Sequence, residues 1–101
     1  MPYRNATYLD GYKELDNALE FYFKKFPTRR FSSRNCPICG NKMATDIHEV
    51  NSLKYIRKAV GGHLYNRRNN KIYILPICEK CNHRKGGFFL ISDEDGLLLA
   101  P

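Results

Sequence analysis

Two cysteine pairs with the same spacing constrain this chain more than any other feature. Cys36-Pro37-Ile38-Cys39 and Cys78-Glu79-Lys80-Cys81 hold all 4 cysteines of the sequence. A two-residue gap lets both sulfurs of a pair reach one ion at about 2.3 Å, and four thiolates then close a tetrahedron. Such a site is structural, because no position is left open for substrate. The pairs are separated by residues 40–77, longer than in a typical zinc ribbon. The spacing suits a treble clef: a knuckle, a hairpin, then a helix bearing the second pair. No βαβ pattern surrounds either pair, which argues against a thioredoxin-like redox motif. Structural Zn²⁺ held by Cys36, Cys39, Cys78 and Cys81 is therefore the expected cofactor.

A chain of 101 residues and 11.8 kDa has room for one small domain. That length excludes a two-domain enzyme, a TIM barrel or a Rossmann domain. Domains of this size often lean on a metal, and this one is expected to need it to fold. Hydrophobic residues make up 43% and aromatics 13%, enough for a packed core. No apolar run reaches the length of a membrane span, and the first residues carry no apolar signal core. The expectation is a cytoplasmic protein with no membrane partner. Asn5-Ala6-Thr7 fits the glycosylation pattern, which has meaning only on a secretory route.

The rest of the chain reads as α+β. Tyr12, Leu15, Leu19, Tyr22, Phe23 and Phe26 recur at steps of three and four, which predicts a helix over 12–26 with Asp10 as N-cap and Pro27 as its end. Residues 27–35 form a basic linker whose Arg29, Arg30 and Arg34 are either solvated or available to phosphates. A turn at Cys36–Gly40 should be followed by a strand over 45–50 and by helical turns over 52–60, stopped by Gly61-Gly62. His63–Tyr65 and Lys71–Pro76 read as hairpin arms around the loop at 66–70. A short helix over 79–85, stopped by Gly86-Gly87, and a C-terminal hairpin around Asp93–Gly96 complete the pattern. Nothing divides the chain: 1–35 is an N-terminal helix and linker, 36–87 the zinc core and 88–101 the hairpin of a single domain. His63 reads as a loop residue and His83 as exposed on the short helix.

With 17 Lys and Arg against 10 Asp and Glu, the net charge is +7. That bias suits a polyanion, most simply nucleic acid or a nucleoprotein complex. It excludes an acidic mimic of DNA. Candidate contacts are Arg57, Lys58, Arg67, Arg68, Lys71, Lys80, Arg84 and Lys85.

From Cys36 to Gly87, about half its length, the chain resembles the zinc-bound form of the HNH nucleases, the ββα-metal or His-Me finger group. The matching residues are Cys36-Pro37-Ile38-Cys39-Gly40, His48 nine residues after Cys39, Gly61-Gly62, and Cys78-Glu79-Lys80-Cys81-Asn82-His83-Arg84-Lys85-Gly86. The resemblance implies a zinc that only holds the frame. It also implies a separate divalent ion, Mg²⁺ or Mn²⁺, that polarises the scissile phosphate while a histidine activates water. On that reading His48 is the base, Asn82 a metal ligand, and Arg84 and Lys85 lie close to phosphates. Two positions depart from the family. Ile47 stands where an Asp or His ligand often precedes the base, and Tyr73 stands where an Asn orients it. Hard cations want carboxylate oxygen, which Asn82 does not supply. Asp46, two residues from His48 and on the same face of a regular strand, could repair the site, with Glu49 beside it. Asn69 or Asn70 could replace the missing Asn, and His83 could serve as a ligand on a rotated helix.

Three readings follow. The first is a non-catalytic zinc module that binds nucleic acid or a nucleoprotein. The second is a metal-dependent endonuclease that uses Asp46, His48 and Asn82. The third is a small inhibitor or adaptor of the anti-CRISPR kind, directed at a nuclease protein through exposed aromatics among Tyr12, Phe21, Tyr22 and Phe31.

Overall fold

A computed structural model describes residues 2–30, 34–45 and 56–101. Asp46, His48, Phe31, residues 46–50 of the strand expected over 45–50 and residues 52–55 of the helical turns expected over 52–60 lie outside the described residues. The order of elements is β1 (Tyr3–Asn5), α1 (Ala18–Lys25), β2 (Arg34–Asn35), β3 (Lys42–Ala44), β4 (Arg57–Asn66), β5 (Lys71–Cys78), α2 (Glu79–Asn82) and β6 (Leu98–Leu99). Single 3₁₀ turns lie at Ala6–Tyr8, Pro27–Arg29 and Glu94–Gly96.

The spine is the antiparallel β4–β5 hairpin, in register from Ala59 opposite Cys78 to Asn66 opposite Lys71. Its arms run through 57–66 and 71–78, apolar for the most part beyond Lys58, and three asparagines make its turn. The Asn66 side chain accepts from Arg68 N, that of Asn69 accepts from Lys71 N, and Asn70 takes φ 59°. One edge of β4 carries two partners at opposite ends. β3 pairs in parallel at Arg57 and Lys58, and β1 pairs antiparallel at Leu64–Asn66. With β2 on β3 and β6 on β5 the sheet is mixed. The fold class is α+β, as expected.

Helix α1 lies across the sheet and buries Ala18, Tyr22 and Phe23 in a core that includes Leu64, Ile74, Leu75 and Ile77. Tyr22 also donates its hydroxyl proton to Gly96 O at 2.6 Å, which ties the C-terminal segment to the helix. The helix is shorter than the 12–26 periodicity predicts, and Asp10 is not its cap. Asn17 adopts the left-handed conformation at φ 57°, which a helix interior does not admit, so the first turn starts at Ala18. Ahead of it, Leu15 gives its N–H to a side chain of the sheet, described below.

Two further expectations are corrected. Residues 57–60 are strand, not helix: Arg57 and Lys58 pair with Met43 and Ala44, and Ala59 and Val60 with Cys78 and Ile77. Ladder partners override a local helical pattern. Gly61-Gly62 therefore lies inside β4 rather than ending an element. A Cβ on Gly61 would stand 2.6 Å from Leu19 N and 2.8 Å from Ala18 C, so the glycine is the slot against which α1 rests. The C-terminal hairpin is also not formed. Leu98 and Leu99 pair with Ile74 and Tyr73 of β5, while Phe89 bridges to Tyr3. Arg29 holds the intervening turn by its ion pair with Asp93 at 2.6 Å. Among the described residues no helix is long and apolar enough to cross a membrane.

Candidate metal centre

The first cysteine pair sits on a knuckle. β2 and β3 run antiparallel and are closed by Cys36 N donating to Asn41 O at 2.7 Å and Gly40 N to Cys36 O at 2.8 Å. Gly40 takes φ 79°, the left-handed conformation the bend requires. The second pair sits where β5 becomes α2. Cys78 is the last residue of β5 and precedes the first turn, and Cys81 lies within it. The parallel pairing of Met43 with Arg57 brings the knuckle to the same end of β4 that faces Cys78.

The four sulfurs consequently meet. All lie within 4.8 Å of one another, with Cys36, Cys78 and Cys81 buried and Cys39 exposed. None is in a disulfide. A tetrahedron with metal–sulfur bonds of about 2.3 Å has sulfur–sulfur edges of about 3.8 Å. The Cys39 and Cys78 sulfurs are 3.7 Å apart, which fits. The cluster is compatible with one structural metal ion such as zinc.

The polar groups around the cluster favour negative charge on sulfur. Cys78 N points at Cys36 Sγ at 3.4 Å, and the Asn41 side-chain amide at Cys39 Sγ at 3.3 Å. The Arg57 guanidinium reaches both Cys39 Sγ and Cys78 Sγ at 3.7 Å. Burial raises the pKa of the Cys36 and Cys81 thiols. Burial acts in the same sense on Cys39, but hydrogen bonds from the Asn41 backbone and side chain and from the neighbouring thiols outweigh it, and its pKa falls to about 6. Four sulfurs this close cannot all ionise without a cation, and a bound metal takes the place of their protons.

Sequence reasoning missed two structural residues, Asn5, which holds this region, and His63, which holds the lead-in to α1. Asn5, in β1, is buried, and its amide donates to Cys81 O at 2.8 Å and Arg84 O at 2.9 Å, clamping the end of α2. The glycosylation pattern that singled it out pointed to the wrong chemistry. His63 is not a loop residue but lies at the centre of β4, only 1% exposed. Its Nε2 accepts the Leu15 N–H at 3.2 Å, and its Nδ1 lies 3.6 Å from Glu14 Oε1. Gly62, His63 and Leu64 are buried in succession, so no alternation of the strand marks it.

Comparison with protein-family models, with curated proteins and with solved structures finds no match to this chain.

Of the proposed catalytic residues, Asn82 ends α2, half-buried and next to Cys81, while Asp46 and His48 lie outside the described residues. Asn69 and Asn70 sit in the β4–β5 turn, seven strand residues from Ala59 and hence roughly 23 Å away at the usual rise. They cannot stand in for an asparagine at the metal end. Tyr73 accepts a hydrogen bond from Asn69 at 2.9 Å on the outer part of the sheet. His83 is exposed at the end of α2, as expected.

The basic candidates fall into groups. Arg57 is turned to the thiols, with Lys58 exposed beside it. Lys80 lies on α2 and Lys85 just after it, while Arg67, Arg68 and Lys71 lie at the far end of the hairpin. Arg84 stands between these two groups, its guanidinium 5.2 Å from the Phe89 ring centroid, beside the Phe88 ring that Arg67 covers. The linker arginines have protein partners: Arg29 pairs with Asp93, Arg30 with Glu20, and Arg34 donates to Arg29 O. Of the aromatics among which exposed hot spots were expected, Tyr22 is fully buried, Tyr12 and Phe21 are half-buried, and Phe31 lies outside the described residues.

Proposed function

We propose that this chain is a zinc-stabilised treble clef with an HNH-like frame, which binds nucleic acid or a nucleoprotein complex without cutting the strand. The observation that carries the reading is the meeting of four cysteine sulfurs on a knuckle, a long hairpin and a short helix, in that chain order. Zinc at Cys36, Cys39, Cys78 and Cys81 then has a structural role only. The +7 charge supplies the attraction to a polyanion. Loss of cutting is supported by the chemistry of the second site. Ile47 and Tyr73 occupy positions where the resembled family has polar groups, and Asn82 brings no carboxylate. Among the described residues the four cysteines are the only group of three or more His, Cys, Asp or Glu side chains close enough to share an ion.

A plasmid assay tests this directly. Zinc-loaded protein is incubated with supercoiled DNA and Mg²⁺, Mn²⁺ or Ni²⁺, beside His48→Ala. The expected result is a salt-sensitive gel shift with no nicking by either protein. Nicking by the wild type that vanishes in His48→Ala overturns the reading in favour of an endonuclease with His48 as base. Salt-resistant capture of a defined protein partner, with no nucleic-acid shift, overturns it in favour of an inhibitor or adaptor.

A further inference from the structure

The far end of the hairpin carries a surface that the HNH-like frame does not account for. Two guanidiniums lie against the ring of Phe88: Arg67 Cζ is 4.4 Å from its centroid and Arg4 Cζ 5.8 Å. Three separate segments build this corner, and backbone bonds lock them together. Arg67 N donates to Pro2 O at 2.9 Å, Phe89 N to Tyr3 O at 2.8 Å, and Arg4 is in register with Tyr65. Arg68 and Lys71 are exposed on the adjoining turn, and Leu90 is 62% exposed two residues beyond Phe88.

Charge at this corner is uncompensated. Among the described residues neither Arg4, Arg67, Arg68 nor Lys71 makes an ion pair, whereas Arg29 and Arg30 both do. Arg4 Nε is also buried with no hydrogen-bond partner among them. A guanidinium stacked on a ring keeps one planar face open to a second π system and its edge open to phosphate. Lysines and arginines alone would suit any polyanion. An aromatic ring with stacked arginines suits bases whose faces are free, which a duplex does not offer.

We propose that the Arg4–Arg67–Phe88 corner binds single-stranded nucleic acid, stacking an unpaired base on Phe88 and on the face of Arg67, while the edge of the Arg67 guanidinium, with Arg4, Arg68 and Lys71, takes phosphates. The proposal rests on the nucleic-acid reading above and centres its contact surface on Phe88, between the turn of the hairpin and Arg84, which lies over the neighbouring Phe89 ring at 5.2 Å.

Fluorescence anisotropy with labelled oligo-dT, oligo-U and a duplex of equal length is the test, run from about 50 to 200 mM salt. Variants are Arg67→Ala, Phe88→Leu, the double Lys80→Ala/Lys85→Ala, and Lys24→Ala on α1 as a charge control. The wild type should prefer the single strands. Arg67→Ala should weaken them about tenfold and lower the salt slope by about 0.7, the value for one phosphate contact on a single strand. Phe88→Leu keeps an apolar side chain, so it should cost affinity with little change in slope. Preference for the duplex, or loss of affinity in the α2 double variant with both corner variants unaffected, overturns this site while the nucleic-acid reading survives. Absence of binding by the wild type at the lowest salt overturns that reading and the corner with it.

Discussion

His63 shows how one buried imidazole can set the pH behaviour of a small domain. Its Nε2 must be unprotonated to accept from Leu15 N, which places the single proton on Nδ1, toward Glu14. Glu14 is the only carboxylate on the lead-in to α1 that reaches it, the Tyr12 ring lies 5.7 Å away, and Ile74 stands opposite on β5. Burial lowers the His63 pKa, and Glu14 opposes this in part. In the unfolded chain the imidazole takes up its proton near pH 6.5, while in the fold it does so only at lower pH. The His63 contribution is therefore fully present above about pH 6.5 and is lost as pH falls through the folded value, at up to about 1.4 kcal/mol per pH unit. His63→Gln keeps an acceptor for Leu15 N but does not titrate. Urea melts at pH 7.5 and 5.5 with zinc present should show a smaller loss of stability for His63→Gln than for the wild type. Equal losses would assign the acid sensitivity to the thiolates instead.

At the level of elements, the meeting of α1 with β4 depends on one missing side chain. A Cβ on Gly61 runs into helix backbone, at 2.6 Å from Leu19 N, and backbone cannot step aside without moving α1. The same addition at Gly62 meets Cγ1 and Cδ1 of Ile77, a side chain that is fully buried and stiff at χ1 but moves at less cost than a helix backbone. Gly61→Ala should therefore cost the more, at least about 2 kcal/mol, and Gly62→Ala about 1–2 kcal/mol. The urea midpoint of each variant at fixed pH and zinc level measures the difference, and the reverse order would contradict the packing described. This glycine pair also marks where the sequence could and could not be read. The cysteine spacing predicted the sulfur cluster, because two fixed gaps leave few ways for four thiolates to serve one ion. The turn of the β4–β5 hairpin and the arms beside it, at 63–65 and 71–76, were legible because turn residues act locally, whereas 57–60 of β4 read as helix. Gly61-Gly62 was misread as a stop, since a glycine that admits a helix and a glycine that ends one look alike without the partner. Asn17, Asn5 and His63 were illegible for the same reason. Each makes its decisive contact with a segment tens of residues away, or ends an element inside a pattern that continues past it.

For the molecule as a whole, the question is how much the sulfur cluster adds to folding. The hairpin, α1, the C-terminal segment and Cys36 and Met43 of the knuckle share one core. Among the described residues the knuckle is also joined to the rest by the ladder pairs Met43 with Arg57 and Ala44 with Lys58 and by Ser92 N donating to Pro37 O at 2.9 Å, and the four sulfurs add a further link that an ion would close. A domain of ordinary size has a net stability of about 5–15 kcal/mol. Structural zinc in small modules supplies apparent binding energy of about 10–16 kcal/mol near neutral pH, which is comparable to that whole margin. The folded chain has a radius of gyration of 12.9 Å, and an unfolded chain of this length would reach about 30 Å. Dialysis against a strong chelator under reducing conditions should abolish the cooperative thermal transition and expand the particle in small-angle scattering. One equivalent of Zn²⁺ per chain should restore both. Cys36→Ser should mimic the chelator more fully than Cys39→Ser, because Cys36 is buried and accepts from Cys78 N whereas Cys39 is exposed. Chelated protein that kept its melting curve and its compact size would mean that the sheet and α1 fold without the ion, and the cluster would then be a site added to a self-sufficient fold.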